Sequence, residues 1–157
     1  MHTVVTVLAQ YLIYLLGLVA AVAWLRLPPV PRARLVLPAL LAAVVTLALV
    51  QLANHVYYDP RPFAAGRVTP WFRHPADNGF PSDHTAIAAL AGFLFWPYRR
   101  VVAGLLLAGA VLVGTARVLA HVHSPVDIVA AVAFAAAGAT VGHLAGTRLY
   151  LRLRPGH

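Results

Sequence analysis

Apolar residues run along this chain in long unbroken blocks separated by short polar connectors. Four blocks, Val4 to Leu25, Leu35 to Tyr57, Val101 to Leu119 and Val126 to Leu144, match or approach the length a helix needs to cross a membrane. A hydrocarbon core of about 30 Å takes about 20 apolar residues. A fifth block, Thr85 to Trp96, is shorter and covers only about 18 to 20 Å at about 1.5 Å per residue. Irregular backbone at membrane depth survives only where it lines protein or water. The start of the fifth block, with His84, is therefore expected in a cavity below the membrane surface. The pattern predicts an all-α integral membrane protein, a helical bundle of about five transmembrane spans forming one domain over residues 1–157. The first block has no charged flank beyond His2 and no clear small-residue cleavage pattern before Arg26, so it reads as a retained span.

Composition supports this reading: the 157 residues are 61% hydrophobic with a mean hydropathy of +0.79, beyond the range of soluble domains. The absence of cysteine excludes a disulfide framework and a thiolate metal site. All 12 basic residues are arginine, the acids are Asp59, Asp77, Asp83 and Asp127, and the net charge is +8. With five spans, Arg26, Arg32, Arg34, Arg99, Arg100, Arg148, Arg152 and Arg154 share one face without an acid, while all four aspartates fall on the other. By the positive-inside rule the first face, with the C-terminus, is cytoplasmic. The excess charge is then a topology signal, and no nucleic-acid partner is expected. Gly138, Gly142 and Gly146 permit close helix approach, inside the bundle or between two copies, so the protein is expected as a monomer or homodimer. Trp24, Trp96 and Tyr98 on one side, with Tyr57, Tyr58 and Trp71 on the other, read as interfacial belts.

Three polar clusters recur at helix ends on the outer face: DPRP (Asp59 to Pro62), PSDH (Pro81 to His84) and RVLAHVHSPVD (Arg117 to Asp127). Ionisable groups at a membrane edge are costly and point to function. The residue types fit phosphate chemistry. Arg61 and Arg117 offer forked donors to phosphate oxygens, and Ser82 with the N–H groups opening the third span can hold an anion. A neutral imidazole is a competent nucleophile at phosphorus, and a protonated one can hand a proton to the departing oxygen. Duller roles exist for the same residues. Ser82 can simply cap a helix, Asp127 can close a capping box with Ser124 ahead of Pro125, and Arg117 can snorkel. His121 rivals His123, because a continued helix would place it on the face of Arg117. Gln51, Asn54 and Tyr58 share one face of the second span, and His55, His74 and His143 have no assigned role. A histidine metal site lacks supporting ligand spacing.

Taken together, NHVYYDPRP (Asn54 to Pro62), PSDH and ARVLAHVHSPVD (Ala116 to Asp127) resemble the three-part signature of the type 2 phosphatidic acid phosphatase superfamily. That signature runs Lys, six residues, Arg-Pro; Pro-Ser-Gly-His; and Ser-Arg, five residues, His, three residues, Asp. The resemblance implies a metal-free and cofactor-free lipid phosphatase. In it His123 would be the nucleophile, Asp127 would fix its tautomer, and His84 would be the general acid. Arg61, Arg117, Ser82 and the backbone near Asp83 would carry the phosphate, with Asn54 and His121 as auxiliary positions. Three positions depart from the pattern: Asn54 stands in the lysine's place, Ala116 in the serine's and Asp83 in the glycine's. PSDH is similar to the form in bacterial undecaprenyl-diphosphate phosphatases of the superfamily. That similarity implies a bacterial plasma membrane, a site on the extracytoplasmic side, and undecaprenyl diphosphate as the lipid substrate. Phosphatidic acid, phosphatidylglycerol phosphate and a phosphorylated prenyl sugar are the other substrates it allows, and a weakened, phospholipid-binding accessory protein is the alternative outside enzymes. The superfamily's usual arrangement has six helices, one more at the N-terminus than the spans counted here.

Overall fold

The computed structural model describes residues 1–66 and 68–153; Arg154, counted in the charge distribution above, lies outside the described residues. Five helices follow in order: α1 (His2–Leu25), α2 (Pro29–Val56), α3 (Asp83–Phe95), α4 (Arg100–Leu119) and α5 (Pro125–Leu153). Four of them are long and apolar enough to cross a membrane, and α3 is the short one. No strand occurs among the described residues, where pairing is limited to an isolated bridge between Pro60 and Asn78.

Two boundaries differ from the hydrophobic pattern. Helix α2 begins at Pro29, ahead of Leu35, because a proline is favoured in the first helical turn and nothing in VPRARL breaks the helix. Helix α5 continues past Leu144 to Leu153, since the chain stays free of proline until Pro155 and the late Arg152 suits the negative end of the helix dipole.

Packing follows from the small residues. Gly138, Gly142 and Gly146 lie along one stripe of α5 and face α2, where an added methyl would meet Thr46, the Pro38 carbonyl and the Pro38 ring, respectively. The glycine row therefore serves close packing of α5 on α2. Helix α3 packs against α4 and α5, and α1 packs against α4. The core between them is built from Leu16, Ala89, Phe95, Leu106, Val113 and Ala135. Leu15, Leu18, Leu40, Val44, Leu47 and Leu105 are exposed on the outside of the bundle. Such surface suits contact with acyl chains and would be a liability in water.

The two ends of the bundle differ in chemistry. At one end Arg99 donates to the Arg26 carbonyl at 2.8 Å, and the Trp24 indole donates to the Arg32 carbonyl at 3.3 Å. At the other end the C-termini of α2 and α4 meet the N-termini of α1, α3 and α5. There the His2 ring stacks on Trp71 at 3.8 Å, and the Trp71 N–H donates to the carbonyl of Ala120, the residue that caps α4. All three polar clusters lie at this second end.

Candidate active site

The site is assembled on a loop that one asparagine folds back onto the end of α2. The Asn78 amide donates to the carbonyls of Asn54 and Tyr57, both at 2.8 Å. Its oxygen accepts the N–H groups of Asp59 and Phe80, both at 3.0 Å. Asn54 in turn donates to the Phe80 carbonyl at 3.0 Å, so the residue in the lysine's position is used as a strut for the loop. Gly79 completes the fold. A Cβ there would come within 3.2 Å of both the Asp127 carboxylate and the Asp59 carbonyl, so glycine lets the loop lie against the start of α5 without either neighbour giving way.

Held this way, Arg61 points inward and is buried. Its Nε donates to Asp77 at 2.7 Å, and its Nη1 donates to the Val122 carbonyl at 2.7 Å. The same Nη1 lies 3.2 Å from Nε2 of His123. Burial pushes the Asp77 carboxyl up, but the hydrogen bond and charge of Arg61 outweigh it and hold the group below the usual carboxylate range.

Helix α4 ends at Leu119, and the chain reverses through His121, whose φ of 64° lies in the left-handed region. The Val122 N–H then bonds back to the Arg117 carbonyl at 3.1 Å. This turn sends the two neighbouring histidines in opposite directions. His121 donates from Nδ1 to the Thr69 carbonyl at 2.9 Å and packs edge-on to Trp71, anchoring the outer loop. His123 is buried, and its Nδ1 lies 3.0 Å from Oδ2 of Asp127.

That oxygen also accepts the Ser124 N–H at 2.8 Å, which is half of a capping box. The Ser124 hydroxyl goes elsewhere, to Asp59 at 2.6 Å, and ties the first cluster to the third. The second cluster joins them where the Ser82 N–H meets the Asp127 carbonyl at 3.3 Å. With Asp127 accepting at Nδ1 and Arg61 donating at Nε2, the neutral tautomer with its proton on Nδ1 satisfies both contacts. Burial holds the His123 pKa below the ordinary histidine value; the hydrogen bond that its Nδ1–H donates to Asp127 works against this, and the charges of Arg117 and Arg61 reinforce the lowering.

Arg117 is also buried. Its Nη1 donates to the Ala9 carbonyl at 3.0 Å, its Nη2 lies 3.0 Å from Nε2 of His74, and its Nε has no partner among the described residues. Arg117 lines a cavity of about 240 Å³ together with His84, His74, Arg73, Tyr11 and Tyr14. Ser82 is fully buried and caps α3, accepting from Thr85 N at 3.5 Å and lying 3.1 Å from the Thr85 hydroxyl. Asp83 is exposed at the rim of a second, apolar cavity of about 490 Å³ between α2 and α3, lined by Leu47, Val50, Ile87 and Leu90.

The fold thus brings Arg61, Arg117, His84, His123, Asp127 and Ser82 to one end of the bundle, and it turns His121, Asn54 and Asp83 to other tasks or faces. Sequence reasoning left His74 unassigned and did not single out Asn78. His74 follows no interval that a motif would mark. Asn78, immediately before Gly79, carries the usual signal of a turn, but three of its four hydrogen bonds, those with Asn54, Tyr57 and Asp59, depend on chain segments brought together only by folding.

Comparison with known proteins gives consistent matches. The profile of the PAP2 superfamily matches residues 35–150. The chain is 34% identical over 145 residues to a Bacillus licheniformis protein named bacitracin transport permease protein BcrC, a match covering 92% of this chain and 68% of that one. It is 32% identical over 130 residues to undecaprenyl-diphosphatase BcrC of Bacillus subtilis, covering 82% of this chain and 66% of that one. No solved structure matches the chain.

Proposed function

The chain belongs to the PAP2 superfamily, and from that premise we propose that it is a membrane lipid phosphatase that removes the terminal phosphate of undecaprenyl diphosphate on the extracytoplasmic face. The observation that carries the chemical reading is His123, held between Asp127 at Nδ1 and Arg61 at Nε2. A relative supports the substrate: one of the two proteins described above is named undecaprenyl-diphosphatase.

In this reading the guanidinium groups of Arg61 and Arg117 take the phosphate oxygens. The Ser82 hydroxyl and the Asp83 N–H supply further donors at the positive end of α3. The Nε2 lone pair of His123 bonds to the terminal phosphorus as the bond to the bridging oxygen breaks, and His84 gives that oxygen a proton. Asp127 keeps the proton on Nδ1 and stabilises the charge that develops on the ring. Water, deprotonated by the now neutral His84, then attacks the phosphohistidine. Inorganic phosphate leaves and His123 is restored. Two fixed cations neutralise the phosphoryl oxygens, so no metal is needed, and the prenyl tail stays in the bilayer, reaching the site sideways between helices.

The test is phosphate release from undecaprenyl diphosphate and from phosphatidic acid in detergent with EDTA, for wild type and His123→Ala. Release from the prenyl lipid that survives EDTA and disappears in the variant is expected. Preference for phosphatidic acid would change the substrate, and loss of activity with EDTA would remove the metal-free mechanism. Asn54, spent on the Phe80 carbonyl, favours one second reading: a folded protein that releases phosphate from neither lipid is a phospholipid-binding relative. For the sidedness, a cysteine introduced at Ala76 should react with an impermeant thiol reagent in intact cells; reaction only after lysis would place the site on the other face.

A further inference from the structure

His74 belongs to no motif, yet it meets the buried arginine of the third cluster. Its Nδ1 lies 3.2 Å from the Pro75 carbonyl, an acceptor that requires the ring proton on that nitrogen. The lone pair is therefore on Nε2, which is the atom 3.0 Å from Nη2 of Arg117. With the Ala9 carbonyl taking an Nη1 hydrogen at 3.0 Å, the guanidinium is pinned at two of its corners. The buried Nε–H remains without a partner among the described residues, on a side chain lining the cavity that also holds His84. The ring of His74 stands 6.4 Å from that of His123, so this clamp lies beside the proposed nucleophile.

We propose that His74 is a positioning residue: its neutral imidazole fixes the plane of Arg117 so that the unpaired donors of that guanidinium face the phosphate. The inference rests on the phosphatase reading above. It gives a chain with asparagine in place of the first-motif lysine a means of holding one of its remaining cations in register. A guanidinium is useful to phosphate through its planar fork, so a few degrees of rotation cost more than they would for an ammonium. Protonated His74 cannot accept from Arg117 and would set two cations face to face.

The surroundings keep the ring neutral. Burial lowers the His74 pKa, and Arg61, Arg117 and His123 act in the same direction against the Pro75 carbonyl. The other ionisable groups near it are Asp77 on its own loop, Arg73 beside it, His84 from α3, and Tyr11 and Tyr14 from α1. Since the value is below the usual 6.5, the clamp is intact at neutral pH and lost as pH falls below that point.

The experiment measures KM and kcat for phosphate release from undecaprenyl diphosphate, with tungstate affinity by calorimetry, for wild type, His74→Gln, His74→Leu and His74→Lys. Glutamine keeps an acceptor for Arg117 and should keep KM and tungstate affinity within about threefold of wild type. Leucine should raise KM and weaken tungstate by about tenfold, the usual scale for a lost hydrogen bond to a charged group, with kcat much less affected. Lysine should be worse than leucine. Below about pH 6.5, wild-type tungstate affinity should fall faster than that of His74→Gln. Unchanged KM and tungstate affinity in the leucine and lysine variants, or identical acid limbs for wild type and His74→Gln, would overturn the role. Phosphate release without that pattern leaves the phosphatase standing and removes the clamp. Wild type that neither releases phosphate nor binds tungstate removes both, and tungstate binding without release still decides the clamp by the same comparison.

Discussion

The Oδ2 atom of Asp127 lies 3.0 Å from Nδ1 of His123 and 2.8 Å from the Ser124 N–H, so one oxygen serves both the imidazole and the first turn of α5. Its partner Oδ1 is buried and makes no hydrogen bond among the described residues. A carboxylate under that constraint does two jobs that a substitution can separate.

Asp127→Asn keeps the shape and an oxygen that both donors can reach. It loses the negative charge that fixes the proton on Nδ1. On the proposed mechanism kcat should fall by about 10² to 10⁴, the usual span of acid–base assistance, with KM nearly unchanged. Steady-state phosphate release checks this. Asp127→Ala should lower the melting temperature as well, because it strips the cap from α5 and leaves His123 buried without its partner.

The acid limb of activity should lie below the ordinary histidine range. His123 is depressed below 6.5 first by burial, and only the neutral ring can attack, so kcat/KM should stay level as pH falls through about 6.5 and drop only beneath it. Stability follows the same sign. The unfolded chain takes up this proton first, so the contribution from neutral, buried His123 is complete above about pH 6.5 and is lost between there and the lower native value. A pH–rate profile with an acid limb centred above 6.5 would contradict the assignment.

Asp77→Ala removes the acceptor at 2.7 Å from Arg61 Nε. The Asp77 side chain is 61% exposed, so the loss in stability should be within about 1 kcal/mol and shrink further in salt. The effect on function should be larger, with KM rising several-fold as Arg61 loses its orientation. Because the native Asp77 pKa is lowered, whatever stability the pair supplies is present above about pH 3.8 and lost as pH falls below it.

Ser124→Ala breaks the 2.6 Å bond to Asp59 that joins the first cluster to the third. It should cost about 1 kcal/mol in thermal stability and reduce kcat/KM more than kcat, since Asp59 precedes Arg61 by two residues. Equal losses in both kinetic parameters would place the bond's effect in the chemical step.

Asn54→Lys restores the residue found in the superfamily's first motif and removes the amide that braces the Phe80 carbonyl. The expected outcome is a lower KM together with a stability loss of about 1 kcal/mol. Melting and kinetics measured on one preparation check both signs.

The long spans were legible because continuous apolar runs have one physical meaning at this length. The motif residues were legible because helical and turn intervals fix which ones share an end. His123 and His121 could be told apart only by the resemblance: two residues apart near a helix end, either could face Arg117, and it is the left-handed turn at His121 that separates them. The extra reach of α2 and α5 was hidden because arginine is a good helix former, and hydropathy stops where the apolar residues stop. His74 and Asn78 were hidden for a different reason. His74 meets Arg117 43 residues away, and the carbonyls that Asn78 braces lie 24 and 21 residues away; no local pattern encodes such a pairing.

The seam between α2 and α5 also constrains how this chain can change over generations. Leucine, isoleucine and valine are nearly interchangeable on the lipid-facing sides of the bundle, because fluid acyl chains adjust to any of them. At Gly138, Gly142 and Gly146 even a single methyl strikes the other helix. Sequence drift should therefore be lopsided, with the outer stripes of α2 and α5 wandering while the stripe between them stays fixed. Any compensating change would have to occur on both helices at once, in the same lineage.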